Sequence, residues 1–335
     1  MKKNFLILMG IMAVAGLISG CSQAGGNGQP EADYPSAPIS VIVPMAAGGP
    51  SDLTARSMEK LASKYLGESL VVENKDGASG VLGYNEIVQA EPDGYTLGLA
   101  ATNMILQPLY GGTEYTYTEE FYPIAQAVSN PVAVAVLIDS PIQTIEDLVK
   151  YAEDHPGELK YAYTNVGSLP HVASAMFVKE TGVQMEAVPF QGGSDSMTAF
   201  LGNNVQVSFT QISELKSHAA NNTVRILAVA TEERMEDFPD IPTFKESGVD
   251  LVCATWFGVV GQKDLPEEIK TKLAEAFKGI INDEEFVKTA EDLGYVVDYL
   301  GPDDMAAKWA EEQENYRTTI DESGIGEEMK RQAGN

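Results

Sequence analysis

Cationic side chains are scarce in this chain of 335 residues: 22 Lys and Arg stand against 49 Asp and Glu, a formal charge of −27. Such a surplus repels DNA, RNA and anionic membrane surfaces, so no nucleic-acid partner is expected. Cysteine is nearly absent, with only Cys21 and Cys253, and if Cys21 is modified no internal disulfide can form. Cys253 lies in the apolar run "LVCATWFGVV", where a lone cysteine acts as a small buried hydrophobe. Histidine occurs three times, at His155, His171 and His218, without metal-ligand spacing, which argues against zinc. The dinucleotide fingerprint G-x-G-x-x-G, the Walker A loop and the G-x-S-x-G elbow are all missing. No cofactor, metal or catalytic residue is therefore expected, and carboxylates are too abundant for any pair of them to signal acid–base chemistry. Long apolar runs are missing as well. The stretch from Phe5 to Ile18 is shorter than the roughly 20 residues of a membrane span.

That stretch follows Met1-Lys2-Lys3 and ends in "LISGC", the layout of an export signal over residues 1–20. Two readings stay open: a lipobox, with Cys21 becoming the acylated first residue of a bacterial lipoprotein, or an ordinary signal with an incidental cysteine. The following "SQAGGNGQPEAD" reads as a flexible tether over residues 21–33, which suits an anchored domain. Loss of Lys2 and Lys3 with the signal takes the charge from −27 to −29, because residues 1–20 hold no Asp or Glu.

The remaining chain is long enough for two domains. From Tyr34 it alternates apolar strands with helical patterns. "ISVIVPM" is a strand, and Met58, Leu61, Ala62 and Tyr65 then form one helical stripe at i, i+3, i+4 and i+7. "SLVVEN", "VLGYNEIVQA" and "DGYTLGLAAT" complete a β-α-β-α-β order, which implies a parallel sheet with helices on its faces. "PIAQAVSNPVAVAVLI" reads as two strands broken at Ser129-Asn130-Pro131. Thr144 and Asp147 form a capping box that opens a second α/β unit. Beyond "TWFGVVGQ" the pattern turns fully helical, with Ile269, Leu273, Ala276, Phe277 and Ile280 along one face. Two α/β units, followed by helices that pack back on the first, are the architecture of a ligand clamp.

Three loops share one design. "PMAAGGPSD", "TNVGSLPH" and "FQGGSDS" each run from a strand through glycine into a helix start bearing serine: Ser51, Ser168 and Ser194. Helix N-termini present unpaired N–H groups and about half a positive charge, so they hold carboxylate or phosphate without a lysine. Any one such loop is equally ordinary turn chemistry; three together suggest a cleft for a small organic anion. Ser168 and His171 also stand three apart, a spacing open to two readings, a nucleophile with its base or a histidine that orders the loop or touches the ligand.

With these loops, the chain resembles the substrate-binding receptors of tripartite tricarboxylate transporters, the Bug family. The markers are "YPSAPISVIVPMAAGGPSD", "VVENKDGASGVLGYNEIVQAEPDGYTLGLA", "NVGSLPH", "VPFQGGSDSMTAFLGNNVQVSF", "RILAVAT" and "PDIPTFKESG". The resemblance implies an α/β fold of the two-lobed type II periplasmic binding class, each lobe a sheet flanked by helices. Lobe 1 would be discontinuous, residues 34–131 plus 255–335, and lobe 2 residues 132–254. It further implies a monomeric, extracytoplasmic solute-binding protein, with no enzymatic activity, that hands its ligand to a permease of one large and one small membrane subunit. Ligand-binding residues carried over from the family are Met45, Ala47, Gly48, Ser51 and Asp52; Thr102 and Asn103; Asn165, Gly167, Ser168 and His171; Gln191, Gly192, Gly193 and Ser194; and Thr210. Asp52 is equally readable as a helix cap.

Two departures bear on the ligand. Gln191 replaces a common Lys or Arg, and Thr210-Gln211 replaces a common Asp-Asn. Loss of the acid favours a non-amino di- or tricarboxylate; loss of the base argues against a highly charged one. The competing readings are a ligand-sensing receptor for a membrane signalling protein and a small-acid hydrolase or isomerase.

Overall fold

The computed structural model describes residues 34–333; the expected signal 1–20, Cys21 and the tether 21–33 lie outside the described residues. β1 (Ile39–Val43), β2 (Leu70–Asn74) and β3 (Thr96–Ala101) run parallel, with β1 in the middle. β1 is apolar at four of its five positions and buried almost throughout, as a central parallel strand requires. α1 (Pro50–Tyr65) packs Met58, Leu61 and Ala62 onto this sheet, and burying Met58 and Leu61 contributes about 2 kcal/mol each. A 3-10 turn at Ala78–Gly80 leads into α2 (Val81–Val88); α3 (Asn103–Leu109) and α4 (Tyr117–Glu120) follow β3.

The next element corrects the sequence reading. The supposed pair of strands is one strand, β4 (Phe121–Leu137). Its continuity comes from its partners. β9 (Ala254–Gln262) pairs antiparallel with it up to Pro131, and β7 (Val207–Gln211) takes over from Val132. Pro131 stands where the ladder changes hands, the place in a sheet interior where a missing N–H is tolerated.

Between these strands lies a second α/β unit: α5 (Ile145–Asp154), β5 (Lys160–Thr164), α6 (Leu169–Thr181), β6 (Glu186–Phe190), α7 (Gly193–Leu201), β7, α8 (Ile212–Ala220) and β8 (Val224–Val229). The Thr144–Asp147 capping box at the start of α5 is formed in both directions. β5 is parallel to both β6 and β7. After β9 come α9 (Glu267–Ile281), α10 (Glu284–Asp292), β10 (Val296–Leu300), α11 (Pro302–Ser323) and α12 (Ile325–Ala333). β10 is a second correction, a strand inside the segment expected to be wholly helical. It pairs antiparallel with β4, Val297 opposite Val128, a partnership that its own short sequence does not announce.

The strand path is β2-β1-β3-β9-β4-β7-β5-β6, with β8 and β10 also on β4. Its registers decide where the loops go. Ala101 at the end of β3 pairs with Phe257, which pairs with Val128 of β4; Gln211 at the end of β7 pairs with Val132. The carboxyl ends of both parallel units therefore converge on the middle of β4. Ligand crevices in open α/β sheets form at carboxyl ends of this kind. No helix among the described residues is long and apolar enough to cross a membrane.

Candidate functional site

The first loop, residues 44–49, is held by a chain of polar contacts. The Gly48 N–H donates to Asp52 Oδ2 at 2.8 Å, and Arg56 Nε donates to the same oxygen at 3.0 Å. Arg56 also reaches Asn74 Oδ1 at 3.2 Å, and Asn74 Nδ2 donates to the Met45 carbonyl at 3.0 Å. Asp52 is buried, which pushes its carboxyl up, but Arg56 and the Gly48 amide outweigh burial and hold it below the usual carboxylate range. Its charge thus balances Arg56 and shapes the loop. Gly49 is the N-cap of α1, Pro50 its first residue and Ser51 its second, while Ala47 and Gly48 are exposed. Gly48 has φ +79°, the left-handed region that favours glycine.

Met45 meets two further segments. A Cβ placed on Gly80 would lie 3.1 Å from both Met45 Cε and Asn103 Nδ2, so the ends of β1, β2 and β3 close on one point. Asn103 Nδ2 donates to the Ser79 carbonyl at 2.7 Å, and its Oδ1 accepts from Tyr84 at 2.7 Å. Ala78 and Ser79 hold φ +47° and +54°, and strained backbone of this kind gathers at ligand clamps. Thr102 is committed elsewhere: its hydroxyl donates to the Ala254 carbonyl and accepts the Trp256 N–H, which ties β3 to β9.

In the second unit, Ser168 caps α6. Its hydroxyl donates to the Thr164 carbonyl and accepts the His171 N–H at 3.4 Å. His171 Nδ1 accepts the Gly167 N–H at 3.2 Å, and its ring stacks on Tyr163 at 4.0 Å. Burial pulls the imidazole down to about 4, so it is neutral at pH 7, with its proton on Nε2 as a hydrogen-bond donor. Neither side chain serves the other: Ser168 Oγ donates to a carbonyl and His171 Nδ1 is taken by an amide. This geometry removes the nucleophile-and-base reading and leaves a loop that offers donors. Gly167 has φ +76° and lies against Met329 of α12; Asn165, at φ +50°, is exposed.

The residue that sequence reasoning missed lies against the third loop. Gln191 and Ser194 are exposed, and Gly192 is the N-cap of α7. A Cβ on Gly193 would lie 3.0 Å from both carboxylate oxygens of Glu214, which accepts the Thr210 hydroxyl at 2.8 Å. The acid judged lost at Thr210 is therefore restored one helical turn later. A hydrophobic-pattern reading treats Glu214 as an ordinary exposed residue of α8; the i to i+4 spacing from Thr210 was the available signal.

Between the two sets of loops, Gln211 Nε2 donates to Thr255 Oγ1 at 2.8 Å, and Asn130 Nδ2 donates to Ser213 Oγ at 2.8 Å. Tyr110 donates to the Gly167 carbonyl at 2.8 Å, joining the α3 end to the second loop. A cavity of about 1030 Å3 lies elsewhere, lined by β10, α11 and residues 230–237 and by none of the candidate residues. Ten carboxylate residues line it against four cationic ones, the wrong balance for an anion. Among the described residues no group of three or more His, Cys, Asp or Glu is placed to hold a metal ion.

Comparison with known proteins gives a consistent result. Residues 54–325 match the family model of the tripartite tricarboxylate transporter family receptor. A TctC solute-binding protein from Polaromonas is 30% identical and superposes with a TM-score of 0.82, over 86% of this chain and 99% of that one. A Rhodopseudomonas palustris protein solved with adipate is 25% identical, TM-score 0.71, over 87% and 99% of the two chains. MatC from the same organism, solved with malate, is 26% identical, TM-score 0.67, over 86% and 100%. The fold is that of periplasmic solute-binding proteins, a family of receptors and not of enzymes. This chain belongs to the tripartite tricarboxylate transporter receptor family.

Proposed function

We propose that this protein captures a small carboxylate outside the cytoplasm and delivers it to a permease of one large and one small membrane subunit. The ligand lies between lobe 1, residues 34–131 plus 255–335, and lobe 2, residues 132–254. The lobes hinge where β4 and β9 cross between them, and Cys21 carries the lipid that keeps the protein at the outer face of the membrane. It acts as a monomer. The observation that carries this reading is the convergence of the strand–glycine–helix loops on the middle of β4.

Each helix terminus contributes about 0.3–2 kcal/mol toward an anion, and a micromolar ligand needs about −8 kcal/mol. One loop is not enough, and the convergence supplies several. α1 and α6 are the cradles for carboxylate. In α1 the only first-turn acid, Asp52, is balanced by Arg56, and α6 has no acid in its first turn. The neutral His171 and the amides of the second loop add donors. The relatives solved with adipate and malate support a dicarboxylate.

A thermal-shift screen of the purified protein against succinate, malate, adipate, citrate, tricarballylate, aromatic acids, amino acids and phosphate tests this. A ligand at 100 times its dissociation constant adds about 2.7 kcal/mol. Shifts from organic acids are expected. Silence across them, with a shift from a neutral or cationic compound, would show that the fold has been kept for another cargo.

A further inference from the structure

We infer that Glu214 sets the ligand class: it occupies the third loop with the protein's own carboxylate, so the ligand faces that loop with a hydrogen-bond donor. The inference rests on the reading of this cleft as a carboxylate site and narrows it.

Both oxygens of Glu214 lie about a contact distance from the first residue of α7, 3.0 Å from a Cβ on Gly193. An acid at a helix N-terminus satisfies the dipole that an incoming anion would use. Asp195, third residue of the same helix, adds a second negative charge to its first turn. Among the described residues neither acid forms an ion pair. Gln191 brings no charge, and the one lysine of α8, Lys216, pairs with Asp237 at 2.8 Å. Thr210 donates its single proton to Glu214 Oε2, which holds the carboxylate in place and leaves its remaining lone pairs as acceptors. The cleft therefore has two anion-accepting helix termini, α1 and α6, and one anion-rejecting terminus, α7. A ligand that fits has its carboxylates on the first two loops and a hydroxyl or ammonium toward Glu214. A third carboxylate there meets like charge.

Succinate, malate and aspartate share a four-carbon diacid skeleton and differ in bearing no donor, a hydroxyl or an ammonium; tricarballylate adds a third carboxylate instead. Titration calorimetry of the wild-type protein and of Glu214→Gln against these four acids tests the inference. Malate or aspartate is expected to bind about ten- to a hundredfold tighter than succinate, the usual effect of a hydrogen bond to a charged group, with tricarballylate weakest. Glu214→Gln should remove most of the donor advantage and strengthen tricarballylate. Succinate binding as tightly as malate and aspartate, tricarballylate binding wild type more tightly than succinate, or unchanged ratios in the variant would each overturn the inference while leaving carboxylate capture standing. Failure of all four acids to bind wild type would overturn the inference; silence across every organic acid of the thermal screen would remove the carboxylate reading as well. The wild-type order of affinities is decisive alone, so the test does not depend on the variant's folding.

Discussion

At the scale of single residues, two buried titratable groups work against each other. His171 is 6% exposed, and burial lowers its folded value to about 4, below an ordinary histidine. Between those two values the unfolded chain binds the proton and the folded one does not, so stability is complete above the ordinary value and falls as pH drops toward 4. Asp52 adds to this loss, because its lowered carboxyl withdraws its contribution as it is protonated. Glu312 has the opposite sign. It is 8% exposed, its Oε2 accepts from Trp256 Nε1 at 2.8 Å, and burial raises it to about 7 against the pull of Lys308 and that indole. Its contribution is complete below the ordinary carboxylate value and is lost as pH rises through 7. Glu312→Gln keeps an acceptor for Trp256 and has no charge to bury. It should raise Tm at pH 8 by the equivalent of up to about 3 kcal/mol and leave pH 5 nearly unchanged. Thermal melts at the two pH values check this; an equal shift at both would mean the charge is not what costs stability there. Cys253, by contrast, is inert: burial pushes its thiol up and keeps it protonated.

At the scale of elements, α6 shows how one of the three loops is built. Ser168 caps the helix, Pro170 suits its first turn, and Gly182 closes it in the left-handed region. The tight point is Gly167, where φ is +76° and a Cβ would come within 2.5 Å of Met329 Sδ. Gly167→Ala should cost roughly 1–3 kcal/mol in stability and weaken acid binding, because the Gly167 amide that orients His171 is displaced. Denaturant titration and calorimetry measure the two effects, and a variant with unchanged affinity would place the ligand away from this loop. The loops, the stripes of α1 and α9 and the capping box of α5 were all legible in the sequence, because each depends on neighbours within one or two turns. β10 and the unbroken course of β4 were not. Pro131 and the alternation in "VVDYL" say little until strands distant in the chain pair with them.

At the scale of the whole molecule, the two parallel units are joined through β4 and β9, and α11 packs its buried Trp309, Tyr316 and Ile320 into the core. A clamp hinged there, as proposed above, would compact when ligand bridges its lobes. Small-angle scattering should therefore show a smaller radius of gyration with any acid that the thermal screen identifies. An acid that binds without compaction would leave a receptor whose lobes do not close.

The sequence by itself determined the α/β alternation, the three glycine–serine loops and the family resemblance. All of these are carried by residues close together in the chain or by their order along it. Only the tertiary structure decided that the loops converge, that Ser168 Oγ and His171 Nδ1 take separate partners, and that the Glu214 carboxylate lies beside Gly193. Those outcomes depend on strand registers and on contacts between distant segments, such as Ala101 through Phe257 to Val128. Local propensity does not encode a register; the packing of the whole sheet sets it.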